Sequence, residues 1–385
     1  MSEMHEEEQT CRIEAVVTKY KTAGEIVNRT LVKLIEKCVA GASVLDLCEF
    51  GDKALTEETA AVFNKSKDIR KGIAFPTCIC VNNCICHFSP LKSEPPVVLA
   101  TGDVVKIDLG AHIDGFIAVV AHTLVIGATK ENKATGRKAD VILAAHKSIE
   151  AALRLVRPGG INSKVTEITQ KVCEAYKCLP IEGMLSHQLK QHEIDGEKSI
   201  IQNPSDAQRK EHKECKFEEY EVYALDVLVS TGEGRGKEKE SRCTVFKRTE
   251  HVYKLKMRAS RVFFSEVEKK AFSMPFTLRA FEDEARARLS VGECVQHALL
   301  DPFQVLFEKE GELVAQFKTT VLLMPNGSVK ITGVPFDPSL YQSNHKIENK
   351  EVLDILKQSY SSSNKNKKKP AAAVTPKADE AGDKK

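Results

Sequence analysis

Apolar and polar positions change their period several times along this chain, and each change marks an element. Over residues 12–40 the apolar side chains Ile13, Val16, Val17, Tyr20, Ile26, Val27, Leu31, Leu34 and Ile35 recur three and four apart. That is the spacing of a helix with one face on a core. Gly41 stops this helix. Ser43 supplies an N-cap for a second helix reaching about Phe63, with Val44, Leu45, Leu47 and Leu55 inward. Residues 72–88 then alternate as strand, turn at Asn82-Asn83, and strand. Residues 104–127 read as two apolar strands joined through Asp114-Gly115, a strong short-range hairpin signal. The helical period returns over 136–158, closed by Pro158-Gly159-Gly160, and again over about 165–175.

The second half echoes the first. Asp103-Val104-x-x-Ile107-Asp108 resembles Glu221-Val222-x-x-Leu225-Asp226, and both open apolar strands, which hints at an internal duplication. Residues 262–300 turn helical, 313–323 form a strand, and 329–331 form a closing strand after the turn at Pro325-Asn326-Gly327. Past about Lys357 the chain is rich in Ser, Lys and Ala, a composition that predicts disorder. Mixed strands and helices in one long body predict an α+β fold.

Composition narrows the picture. The 385 residues are 42% hydrophobic and 29% charged, ordinary for a globular chain with a large core. No run of about 18 apolar residues is present, so membrane insertion is not expected. The opening MSEMHEEEQT is acidic and polar and does not read as a leader, which places the protein in cytoplasm and nucleus and makes its 12 cysteines reduced thiols. The net charge of +3 is uneven: residues 360–385 carry seven Lys and three acids, leaving the rest near neutral. Lys365, Lys367, Lys368 and Lys369 form a basic cluster suited to nucleic-acid phosphates or to nuclear and nucleolar address, against the simpler reading of a solvated tail. The basic runs 65–71 and 247–258 could extend such a surface. No base-reading module is visible, so RNA recognition would rest on backbone and shape.

Candidate chemistry starts at Asp108. It interrupts a buried-looking strand, and an isolated buried carboxylate is costly unless a metal, a cation or hydrogen bonds meet it. The facing strand, 116–121, offers no second acid. Lys318 stands out likewise in AQFKTTVLL, because lysine is almost never buried unpaired. His87, Asp108, His187 and Asp226 all lie beside or within expected central strands. Cys78-x-Cys80 with Cys84-x-Cys86-His87 suggests zinc, but structural zinc pairs are spaced two to four apart, and thiols at i and i+2 of a strand pack well as core. The latter reading is preferred. Gly232–Gly236 precedes charges rather than an apolar helix, so it reads as a mobile loop and not a phosphate cradle.

The blocks VNNCICHFSP, KIDLGAHIDGFIA, IEGMLSHQLKQH, EVYALDVLVSTGEG and AQFKTTVLL stand in the order and spacing of the type II methionine aminopeptidases, over about residues 12–340. The resemblance implies a pita-bread fold with an internal pseudo-two-fold, with 262–300 as the helical insertion of that group, an acidic disordered segment 1–11 before the domain 12–355, and a Lys-rich disordered tail 356–385 after it. KGIAFPT, IDGEK, IIQNP, MPFTLRAFEDE and VLLMPNG point further, to a proliferation-associated branch without a peptidase centre. Five metal-ligand positions of the peptidases fall on Asp108, Val119, His187, Asp226 and Lys318. The substrate-side His matches His87, and a second catalytic His falls on Asp195. Val119 has no lone pair, Lys318 is cationic and Asp226 is one methylene short of Glu, so no metal or other cofactor and no catalysis are expected, with residual metal-dependent methionine aminopeptidase activity as the alternative. The ammonium of Lys318 is expected to take the metal's place against Asp108 or Asp226. The branch implies structured RNA and ribosomes as partners, together with signalling-receptor or transcription-regulator proteins, and roles in growth, translation, rRNA processing and transcription. A co-repressor-type L-x-x-L-L box would fall at 353–357 and here ends in Lys357.

Overall fold

The computed structural model describes residues 9–66 and 68–360. The four lysines at 365–369 lie outside them. Two helices open the fold, α1 (Glu14–Lys37) and α2 (Val44–Ala60), with Ser43 capping α2 as its sequence position requires. Strands β1 (Lys71–Val81) and β2 (Cys84–Cys86) follow, then the hairpin β3 (Val104–Ile113) and β4 (Phe116–Val125). Its turn is Asp114-Gly115, both at positive φ as a tight two-residue turn demands. Helices α3 (Gly136–Leu155) and α4 (Asn162–Ala175) precede β5 (Leu185–Leu189), β6 (Ser199–Ile201) and β7 (Val222–Ser230). After the insertion come β8 (Val314–Met324) and β9 (Gly327–Lys330). Helix α5 (Lys350–Lys357) closes the described chain.

The main sheet runs β1-β3-β4-β8-β7-β5-β6, with β9 on β8, all antiparallel. It is two half-sheets joined at β4–β8, where the registered pair is Lys318 with Ala121. One face is apolar and covered by helices: α1 and α2 on the β3–β4 half, α3 and α4 on the β8–β7 half. Strand alternation decides which side chains go there. Leu225, Val227, Ala315 and Phe317 join the α3 core, so Asp226, Gln316 and Lys318 point to the opposite face. The predicted duplication is visible in detail. Asp103 accepts a hydrogen bond from Ala100 N (2.8 Å), and Glu221 accepts one from Glu218 N (2.7 Å), each from the residue three positions before the acid that precedes its strand.

Several expectations need correction. The insertion is wider and less helical than 262–300: Val245–Arg248 pairs with Phe276–Thr277 and with Leu300–Pro302 in a separate small sheet, flanked by helices Arg258–Lys270 and Glu284–Gln296. Pro275 and the pairing of Phe276-Thr277 keep the start of FTLRAF out of a helix. Strand β2 pairs with Leu306-Phe307 rather than with β1, because the side chain of Asn82 is drawn to Asp103 (2.9 Å) and Val104 N (2.9 Å). At the ends the packed chain exceeds the limits 12–355: Cys11 is buried, α5 runs to Lys357, and Arg154 lies over the Tyr360 ring. The four hairpin thiols, Cys78, Cys80, Cys84 and Cys86, are all buried.

Candidate functional site

One register row crosses five strands of the sheet. Cys78 pairs with Asp108, Asp108 with Ala121, Ala121 with Lys318, and Lys318 with Asp226. Residues in register share a face. The methyl of Ala121 between Asp108 and Lys318 leaves the ammonium room to reach across. Lys318 Nζ lies 2.6 Å from Asp108 Oδ2 and 2.9 Å from Asp226 Oδ2. All three side chains are largely withdrawn from water, at 11%, 6% and 15% exposure. Gln316, two residues before Lys318 and therefore on the same face, donates through Nε2 to Asp226 Oδ1 (2.9 Å) and, at longer range, to Asp108 Oδ2 (3.4 Å). The Phe75 ring lies 5.3 Å from Lys318 Nζ.

Electrostatics fits this arrangement. Burial works against the Lys318 charge, and Asp108 with Asp226 overcomes it, holding the ammonium above the ordinary lysine range. Burial raises the Asp226 carboxyl above its usual range, aided by Asp108 and opposed by Lys318 and Gln316. Two acids sharing one cation leave part of the demand unmet, and Asp108 Oδ1 is buried without a hydrogen-bond partner.

The other candidates sit around this row without joining it. Val119 lies on β4, two residues from Ala121, and is 2% exposed. Its backbone is tied to Thr320 and Thr332, and its side chain packs with Phe75, Met274 and Phe303 in one apolar cluster. Met274 and Phe303 belong to the insertion and its exit, so this position has become core. His87 adopts positive φ, and its Nδ1 faces the Gln304 carbonyl at 3.0 Å. Its ring stands edge-on to Phe303 at 5.2 Å, and burial depresses its pKa to about 4. His187 is on β5 opposite Ala224, with a pKa lowered by burial and a buried Nδ1 that has no partner. Asp195 is exposed and held by the insertion's Lys247. It acts on His187 through charge and touches neither Asp108 nor Lys318.

These residues do not fit a two-metal centre. Such a centre needs carboxylates bridging two cations. Of the positions that the aminopeptidase resemblance gives to metal ligands, Val119 is an apolar core residue and Lys318 is itself a cation bonded to both Asp108 and Asp226. Among the described residues, no group of three or more His, Cys, Asp or Glu side chains is arranged to hold a metal ion. Gln316 is the partner that sequence reasoning missed. Its signal was its place two residues from Lys318 in a strand whose alternate positions, Ala315 and Phe317, are apolar. Phe303 and Gln304 were missed because nothing near them in sequence links them to His87. The Gly232–Gly236 loop wraps a buried acid: Glu308 Oε2 accepts from Ser230 Oγ and Gly234 N, both at 2.8 Å.

The pattern of metallopeptidase family M24 matches residues 18–241. This chain belongs to metallopeptidase family M24. Its pita-bread fold, expected from the aminopeptidase blocks, is the fold of that family. It is 52% identical over 333 residues to a protein named ERBB-3 binding protein 1 of Arabidopsis thaliana, covering 86% of this chain and 83% of the relative. It is 41% identical over 362 residues to the curved DNA-binding protein of Schizosaccharomyces pombe, covering 93% and 94%. Among solved structures, a thermophilic Arx1 superposes with a TM-score of 0.85 at 34% identity, over 90% of this chain and 99% of that one. Within family M24 the sequence thus stands beside proteins named for binding.

Proposed function

We propose that this M24 chain is a non-catalytic aminopeptidase-fold protein that acts through its surfaces. It binds structured RNA and ribosomes and regulates growth, translation, rRNA processing and transcription, in cytoplasm and nucleus and reaching the nucleolus. The observation that carries the loss of catalysis is the Lys318 ammonium lying between Asp108 and Asp226 at 2.6 and 2.9 Å, where a divalent pair would be needed. The insertion supports it, since Met274 and Phe303 join the apolar cluster that contains Val119. For nucleic acid, the support is the basic cluster Lys365, Lys367, Lys368 and Lys369 and a relative named for DNA binding.

Co-sedimentation with ribosomes, with and without ribonuclease, tests the RNA reading. Binding that disappears on RNA digestion is expected. If the four lysines meet phosphates, replacing them with alanine flattens the dependence of log affinity on log salt by roughly 3 to 4. Binding that survives ribonuclease and the four substitutions rejects it.

A second reading, a protein-binding signalling adaptor or transcriptional co-repressor, is favoured by the ErbB-3 binding name of the Arabidopsis relative. Docking through the apolar face of α5 is disfavoured. Val352 and Ile355 are buried against Ala151, Ile168 and Val172, so the 353–357 segment already uses that face.

A further inference from the structure

Away from the central row, the β3–β4 hairpin meets the insertion at a cationic recess. A cavity of about 330 Å³ is lined by Arg70, Lys71, His112, His192, Lys269, Lys270 and Phe272, among others. It shares Lys71, His112, Lys270 and Ala271 with a trough of about 610 Å³ that has Ile73, Pro76 and Phe276 in its walls, together with the carboxylates of Glu49, Asp52 and Glu57, which are paired with Lys92, Arg279 and Lys53. Together they fall in the size range of small-molecule sites, with an apolar body and a few convergent polar groups.

The charge of this recess is only partly answered by the protein. Lys71 serves the Ala60 and Val62 carbonyls and Asn64 Oδ1, and Lys270 donates to the Ala280 carbonyl at 3.0 Å. Asp114, the acid of the hairpin tip, is taken by Lys19 at 2.5 Å. Arg70 lies over the Phe272 ring at 4.2 Å, and neither it nor Lys269 has a side-chain hydrogen bond or ion pair among the described residues. The recess therefore holds two uncompensated cations. It also holds imidazole donors. His112 Nδ1 accepts from Gly115 N at 3.2 Å, which leaves the proton of the neutral ring on Nε2. His192 stands edge-on to Phe272 at 5.2 Å, with a buried Nδ1 that has no partner. Phe272 and His192 both hold left-handed backbone, φ 56° and 65°, a conformation that costs energy for side chains of this size.

We propose that this recess binds a small organic phosphate: a phosphate monoester whose dianion lies between Arg70 and Lys269 and whose planar or apolar body occupies the adjoining trough. Two free cations match a dianion, and guanidinium is the fork best suited to phosphate oxygens. A single recess with two free cations at its rim favours one phosphate over a polyanion, whose repeating charges need a row of cations along a track. This inference concerns residues outside the Asp108–Lys318–Asp226 row; Arg70 also lies in the basic run 65–71, and the parallel RNA measurement below separates the two readings.

The test is equilibrium dialysis of the full chain with adenosine 5′-monophosphate at physiological salt, with inorganic phosphate and a short single-stranded RNA in parallel. The compared variants are Arg70→Gln with Lys269→Gln, and, as a control of equal charge change, Lys213→Gln with Lys309→Gln. All four side chains are exposed, so both variants keep the fold. The expected result is saturable one-to-one binding of the monophosphate, tighter than that of inorganic phosphate. It weakens at least about tenfold in the Arg70/Lys269 variant, the loss of a charge-assisted contact, and is unchanged in the control. No saturable monophosphate binding, equal weakening in both variants, or RNA binding lost in the Arg70/Lys269 variant without monophosphate binding in the parent would each overturn the proposal.

Discussion

The two halves of the main sheet carry the same device and have altered it differently. In the first half Asp108 carries a carboxylate, and Val119 stands where the aminopeptidase resemblance implies a partner acid. In the second half Asp226 carries a carboxylate, and Lys318 stands where the resemblance implies another. Position 119 was closed by packing: Val119 is 2% exposed among Phe75, Met274 and Phe303 and asks nothing of its neighbours. Position 318 was closed by charge: Lys318 answers one acid from each half. Val119 offers no lone pair to a metal on its side, and Lys318 makes the two buried acids tolerable. The half with the apolar replacement depends on the half with the cationic one.

Lys318→Met is the strongest way to break this dependence. It leaves Asp108 and Asp226 buried beside each other without a cation, and removing one partner of a buried pair costs about 3–5 kcal/mol. The unfolding free energy from urea titration near neutral pH should drop by that amount. It should recover much of the loss in Lys318→Met with Asp108→Asn and Asp226→Asn, which removes the charges too. A Lys318→Met variant as stable as the parent would mean that the row is not held by charge.

Reversing both replacements sharpens the comparison. Val119→Asp with Lys318→Glu restores carboxylates at both altered positions, beside His187. This variant should be destabilised without metal and stabilised by Mn²⁺, by about 2.7 kcal/mol at a hundredfold excess over its dissociation constant. Neither single variant should respond as strongly, because each leaves one half closed. A thermal scan with and without Mn²⁺ reads this directly, and a double variant indifferent to Mn²⁺ would show that the scaffold has lost the centre more deeply than two residues.

Gln316→Leu tests the hydrogen bonds around the row. It removes the donor to Asp226 Oδ1 at 2.9 Å and should cost about 1–2 kcal/mol, with the loss shrinking toward low pH as Asp226 takes a proton. A loss that does not change with pH would assign Gln316 a packing role.

The remaining effect is a pH slope, confined to acid conditions and absent near neutral pH. Burial holds His87, His112, His122 and His146 at about 4, below the ordinary imidazole value. The unfolded chain then binds more protons than the fold between about pH 6.5 and 4, so their stabilisation is complete above that window and is lost as pH falls through it. Asp226, whose value is raised, acts with the opposite sign. His87→Phe should flatten the fall of the urea midpoint over this window by up to about one proton. An unchanged slope would mean that His87 titrates normally.

Much of this was legible in the sequence, for identifiable reasons. Asp108 and Lys318 each break an apolar strand, and a charge in such a place must be answered by something. The Asp114-Gly115 turn fixed the hairpin register, and with it which face Asp108 takes. Gln316 was less visible, since glutamine in a strand is unremarkable until its i+2 neighbour is known to be a buried lysine. Asp195 aligned with a catalytic position, yet the insertion's Lys247 holds it at the surface, a contact that no local pattern encodes. The small sheet of the insertion escaped because strands such as Phe276-Thr277 are too short to show a period, and their pairing depends on segments far apart in sequence.

Metal content of the purified full chain after incubation with Mn²⁺ or Co²⁺ and desalting tests the central claim most directly. With Lys318 bonded to both acids and Val119 in the core, the account predicts close to zero metal per chain. One or two metals per chain would contradict it. That result would mean that Asp108, His187 and Asp226 still capture a cation despite Lys318, and peptide hydrolysis would then have to be measured before the binding reading could stand.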